Sequence, residues 1–186
     1  MKRLGCYLIL ILIVSVGCKS SKNATTPAQK EAIEQLVTSS NFTIENDWAY
    51  PQVTAAMAQV LNSGILPPDS NAGAINLTGN SNFLTIKGDS ITSYLPYFGE
   101  RQQQVGYAGT DSAIAFEGLM KDFKVEDGKN GRKIMSFQAK SNSENFNVII
   151  TVFPSMKSRI ILNGSSRFSI QYAGDVSPLQ DEETQS

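Results

Sequence analysis

The sequence predicts a mainly β fold: an antiparallel meander forming a small or half-open barrel, lipocalin-like in form, with one or two N-terminal helices. Two observations carry this expectation. From Ala74 onward, short runs rich in Ile, Val, Phe, Thr and Tyr alternate with clusters of Gly, Asn, Asp and Ser, the pattern of successive strands and tight turns. Within the runs, apolar and polar residues alternate as they do in strands with one buried face. About nine or ten such strands in sequential order must curl and close, or split into two packed layers, because open edges are a liability.

The elements follow in order. Thr26-Pro27-Ala28-Gln29 has the form of a capping box with Pro at the first helical position, where its missing N–H costs nothing. A helix from there to about Val37 places Ala32, Ile33 and Leu36 on one side and Lys30 and Glu34 as an i,i+4 pair on another. Asn41 to Trp48 opens with Phe42 and Ile44 in alternation and predicts a first strand, which Pro51 interrupts. Val53, Ala56, Met57, Val60 and Leu61 recur at helical spacing, so a second helix is expected, ending before Gly64 and Pro67-Pro68. Phe83 to Lys87 and Ser90 to Leu95 flank Gly88-Asp89, a two-residue hairpin connection. Later strands are expected at Lys133 to Lys140, Phe146 to Phe153 and Arg159 to Leu162, then where Phe168, Ile170 and Tyr172 alternate with Arg167, Ser169 and Gln171. Residues 177–186 carry Asp181, Glu182 and Glu183 and are expected to form a disordered acidic tail.

The N-terminus has a different character. Lys2 and Arg3 precede the apolar run Tyr7 to Val16, and the small residues Ser15 and Gly17 stand just before Cys18, the arrangement of a cleaved export signal. The run is too short to span a bilayer as a helix, which takes roughly 20 residues. Residues 1–17 are therefore read as a lipoprotein signal, and Cys18 as the lipidated residue. A polar tether through Thr26 and a single β-rich domain over 27–176 complete the expected organisation.

Composition narrows the chemistry. Without Lys2 and Arg3, the 16 basic residues fall to 14 against 17 acidic, a formal charge of −3, which leaves no electrostatic footprint for nucleic acid. The chain has no histidine, and its two cysteines, Cys6 and Cys18, lie in the signal and at the lipidation position. A Ser-His-Asp triad, a Cys-His dyad and the usual zinc site are thereby excluded. Asp127-Gly128-Lys129-Asn130-Gly131 superficially resembles a calcium loop but has the residues of a tight turn. No metal, cofactor or catalytic residue is expected.

Three segments carry a family likeness. Leu95-Pro96-Tyr97-Phe98-Gly99 after the Gly88-Asp89 hairpin, Val152-Phe153-Pro154, and Arg167-Phe168-Ser169-Ile170-Gln171-Tyr172-Ala173-Gly174 together resemble a family of small Bacteroidetes lipoproteins known only as a domain of unknown function. The likeness covers roughly Phe42 to Val176, with the Val53 to Leu61 stretch as an insertion and Glu100 standing before Arg101. It implies a compact β-rich periplasmic or surface-attached domain, and it brings no activity, ligand or catalytic residue.

Candidate ligand-binding residues are Tyr97, Arg101 and Tyr107, around a Gly- and Gln-rich loop, together with Trp48 and Tyr50. Aromatic faces with one arginine suit a sugar or an anionic organic ligand, or else they plug the barrel end and fill its packing. In the packing reading, Phe98 belongs to the core and Tyr97 keeps a wet hydroxyl. Glu100, Asp111 and Glu117 are close enough in sequence for an acid/base pair, and equally suit a solvated surface. The resulting expectation is a non-enzymatic envelope lipoprotein, held at the periplasmic side of the outer membrane, that binds a small ligand, a glycan or a protein partner. The alternatives are a structural or assembly lipoprotein without a pocket and a carboxylate-dependent glycan hydrolase.

Overall fold

The computed structural model describes residues 25–55, 58–59, 64, 67–100, 113–141 and 144–179. One helix, α1 (Pro27–Ser39), precedes a ten-stranded antiparallel sheet curled nearly into a barrel: β1 (Asn41–Pro51), β2 (Ile75–Asn76), β3 (Phe83–Lys87), β4 (Ser90–Pro96), β5 (Ala113–Leu119), β6 (Lys121–Asp127), β7 (Lys133–Lys140), β8 (Asn145–Val152), β9 (Lys157–Gly164) and β10 (Ile170–Pro178). The strand order is β5-β4-β3-β1-β10-β9-β8-β7-β6, with β2 attached to β1. The first and last long strands, β1 and β10, thus meet and pair along nearly their whole lengths, and the strand order ends at β5 and β6.

The capping box forms as the sequence predicts. Thr26 Oγ1 accepts from the Gln29 N–H, and Gln29 Oε1 accepts from the Thr26 N–H at 2.9 Å. Ile33, Leu36 and Val37 are buried, each worth roughly 1.5–3 kcal/mol, so the helix is held by its apolar face. Glu34 makes its ion pair across the domain with Lys133 of β7, not with Lys30. Lys133 also bonds Asp127 at 2.7 Å. That second contact, then the first, raises the lysine's pKa against the opposing effect of burial.

Inward-pointing residues fill the barrel. Phe42 and Ile44 of β1, Leu84 and Ile86 of β3, Phe116 of β5, Met135 and Phe137 of β7, Val148 and Ile150 of β8, Ile160 and Leu162 of β9, and Tyr172 of β10 form one apolar cluster. A bulge at Asp47 shifts the β1 register between Asn46, opposite Gly174, and Trp48, opposite Ala173. Gly174 lies so close to β1 that a Cβ there would stand 1.9 Å from the Glu45 carbonyl oxygen. Asn82 pins the bulge, its Oδ1 accepting from the backbone N–H and the Nδ2 of Asn46, both at 3.0 Å.

The closing seam is made by one run of chain. β5 pairs with β4 and β6 with β7, and only Met120 separates them. Gly118 at φ +151° and Asp122 at φ +54° bracket the bend, conformations that an ordinary side chain strains to adopt. Phe116 meets Phe146 edge-on across the seam, with ring centres 5.3 Å apart.

Several expectations are corrected. Pro51 does not interrupt β1 but ends it, opposite Ile170. Val53 is exposed rather than on a buried helical face. Of the expected second helix, Ala55, Ala58 and Gln59 are helical, and the remainder lies largely outside the described residues. Arg167 and Phe168 precede the last strand, which begins at Ile170. Residues 177–179, expected in the acidic tail, belong to the fold: Ser177 and Pro178 pair with Thr43 and Phe42, and the Leu179 N–H donates to Asn41, while the rest of that tail lies outside the described residues. The segment Lys129–Gly131 is the tight turn that the sequence suggested, with Asn130 at φ +61°.

Candidate binding site

Strands β3, β4 and β5 place Phe83, Tyr94 and Ala115 in one cross-strand row on the outward face. In the adjacent row, Thr92 lies opposite Glu117. Because Ala115 is small, the space beside the Tyr94 ring is left open, and Tyr94 remains 45% exposed. A cleft of about 580 Å³ results, running past Phe116 and Ser93 to Lys140 and Ser141 at the end of β7. Its size is that of a small-ligand pocket. Lys140 and Glu117 take part in no ion pair among the described residues. The cleft therefore offers an aromatic face, a cation, a carboxylate and hydroxyls to one occupant.

Ser93 supports this wall from within. Its Oγ accepts from the Phe116 N–H at 3.0 Å and donates to the Ile114 carbonyl at 3.3 Å. Both bonds are buried, which fixes the spacing of β4 and β5 where the cleft is lined. Of this site the sequence singled out Glu117 alone, because Tyr94 and Phe83 read simply as alternating strand residues and Lys140 reaches them only through closure of the sheet.

The expected aromatic motif is placed differently. Tyr97 and Phe98 are both half-buried against the core. The Tyr97 hydroxyl, expected to be wet, donates toward the carbonyls of Glu100 at 2.9 Å and Phe168 at 3.0 Å. Phe98 is correspondingly less enclosed than the core role required. Over the Tyr97 ring lies the guanidinium of Arg167, 5.1 Å from the ring centre and 6.0 Å from that of Phe146. Arg167 Nε bonds the Glu144 carboxylate, whose other oxygen accepts from the Ser166 N–H at 2.7 Å. Both side chains are almost wholly buried, and Arg167 Nη1 has no hydrogen-bond partner among the described residues. Tyr172 lies in the same region and donates to the Pro96 carbonyl at 2.8 Å. Burial above all, then Tyr97, holds its phenol well above the ordinary tyrosine range, with Arg167 opposing.

The other expected positions divide. Trp48 is half-buried and Tyr50 exposed on the outward face of β1, where neither lines the cleft. Arg101, Tyr107, Asp111 and Cys18 lie outside the described residues. Glu100 accepts from the Thr54 hydroxyl, and Glu117 lines the cleft. Among the described residues, no group of three or more acidic side chains could hold a metal ion, and no helix is long and apolar enough to cross a membrane.

A family model described as domain of unknown function (DUF4251) matches residues 25–176. The crystal structure of a DUF4251 family protein from Bacteroides eggerthii DSM 20697 superposes with a TM-score of 0.53 at 13% sequence identity, covering 81% of this chain and 88% of that one. At that identity the likeness speaks for the fold alone. No curated protein matches the chain.

Proposed function

The chain belongs to the DUF4251 family, a domain of unknown function, and from that premise we propose that it is a membrane-tethered, non-enzymatic binding module of the cell envelope. The observation that carries this reading is the cleft beside Tyr94, where an exposed aromatic face meets Thr92, Glu117 and Lys140. A pyranose ring or similar polar organic ligand could stack on Tyr94 while its hydroxyls exchange hydrogen bonds with the charged pair. Glu117 is the one carboxylate among the described residues lining the cleft, whereas glycoside hydrolysis by the usual route takes two facing carboxyls. That contrast favours binding over hydrolysis.

The test applies the whole protein to an array of oligosaccharides and compares it with Tyr94→Ala. Binding that falls at least tenfold in the variant, about 1.4 kcal/mol, while the melting temperature holds, supports the reading. Silence of the wild-type protein across the array would instead favour a structural or assembly lipoprotein.

The tether rests on Cys18 and the apolar run before it. Lys19-Ser20-Ser21-Lys22 after the cysteine carries no acidic residue, which supports attachment to the outer membrane facing the periplasm. Cys18→Ser should move the protein from the membrane to the soluble envelope fraction. Equal fatty-acid labelling of wild type and variant would sink that assignment.

A further inference from the structure

The β6 strand is the most exposed part of the sheet, and three large apolar side chains stand open along the β5–β6 run. Leu119 is 64% exposed, Phe123 37% and Val125 43%. Val125 lies opposite the buried Met135, and Phe123 contacts Phe137 with ring centres 6.0 Å apart. Both therefore lie on the core side of the sheet, yet β6 ends the strand order with no neighbouring strand beyond it among the described residues. An edge of this kind presents unpaired backbone groups beside uncovered apolar surface, the combination that recruits another strand.

We infer that a second copy of this chain covers it, with the two β6 strands pairing antiparallel about a two-fold axis. The charge pattern selects this occupant. On the outward side, Lys124 and Glu126 lie opposite Ser136 and Ile134, and neither takes part in an ion pair among the described residues. When Val125 is set opposite Val125 of the second copy, Lys124 of each strand falls opposite Glu126 of the other, because the sum of paired residue numbers is constant across an antiparallel ladder. The axis thus turns one unpaired cation and one unpaired anion into two complementary pairs. Shifting the centre to Lys124 sets lysine against lysine. Shifting it to Phe123 uses Asp122, whose φ of +54° takes it out of the strand line. A two-fold axis uses the same patch on both copies, so the contact closes at two chains.

Oxidative cross-linking of the whole chain in membranes tests this. Val125→Cys should give a disulfide-linked dimer at least tenfold above Tyr94→Cys, an equally exposed position on β4, and above the wild-type chain. Adding Lys124→Glu should lower the Val125→Cys band about tenfold, and adding Glu126→Lys to that variant should restore it. No band above the Tyr94→Cys level, a stronger band from Lys124→Cys or Phe123→Cys, or indifference to Lys124→Glu would each overturn the proposal.

Discussion

Arg167 is held by Glu144 along one edge and by the face of Tyr97, 5.1 Å from its guanidinium carbon, along the other. Because the Tyr97 hydroxyl reaches the carbonyls of Glu100 and Phe168, whose backbones are themselves bonded at 3.3 Å, these three side chains tie the end of β4 to the loops before β8 and β10. The charge is buried but neutralised, and the ring supplies a second favourable surface for the cation.

Removing either charge alone should be costly. Glu144→Ala leaves a buried guanidinium uncompensated, so a loss of about 3–5 kcal/mol is expected. Replacing both, as Glu144→Leu with Arg167→Met, should cost clearly less than the two single losses combined. Urea unfolding of the single and double variants measures the coupling, and additive losses would show that the pair does not act as a unit.

Tyr97→Ala should destabilise at least as much as Phe98→Ala. Both rings are half-buried, but only Tyr97 carries buried-side hydrogen bonds and the cation contact. Tyr97→Phe isolates the hydroxyl and should cost roughly 1 kcal/mol. Thermal unfolding of the three variants gives the order directly, and a greater loss for Phe98→Ala would place the anchor elsewhere.

Alkaline pH should unfold the domain through Tyr172. Its pKa is raised in the fold, chiefly by burial, while in the unfolded chain it titrates near the ordinary value of about 10. A raised folded pKa gives stability that is complete below the unfolded value and lost as pH climbs above it. Stability should therefore fall above about pH 10, and Lys133, also raised, adds to the same limb. Tyr172→Phe should lower stability at neutral pH by loss of the Pro96 bond yet flatten the alkaline decline; an unchanged slope would contradict the assignment.

Gly174→Ala should be among the worst single substitutions in the sheet. The added methyl meets the Glu45 carbonyl and the Asn46 Cα, backbone atoms that cannot swing away, so the β1–β10 ladder must open at the bulge. A loss of roughly 3 kcal/mol or more is expected. Circular dichroism melts decide it, and a change within about 0.5 kcal/mol, the range of ordinary surface substitutions, would show that the bulge relaxes freely.

Much of the fold was legible because its signals are local. The capping box at Thr26, the Gly88-Asp89 hairpin, and the alternation of Met135, Phe137 and Ala139 each depend on residues a few positions apart. Half-buried antiparallel strands write their faces into the chain one residue at a time. Where neighbours are distant in sequence, the chain was silent. Glu34 chose Lys133 over the nearby Lys30 because packing of the helix brought a largely enclosed side chain to it. Arg167 and Glu144 pair across 23 residues under a ring at Tyr97, and sequence drew attention to Arg101 instead.

The candidate site divides the same way. The sequence by itself determined that the domain is β-rich, that it has no histidine and no cysteine beyond Cys6 and Cys18, and that Tyr94 points away from Leu95, since these follow from composition and a period of two. Only the tertiary structure decided that Ala115 stands beside Tyr94 and that Lys140 lines the same cleft as Glu117. Strand register and closure of the sheet fix those distances, and both are set by the summed packing of inward residues from every strand rather than by any segment alone.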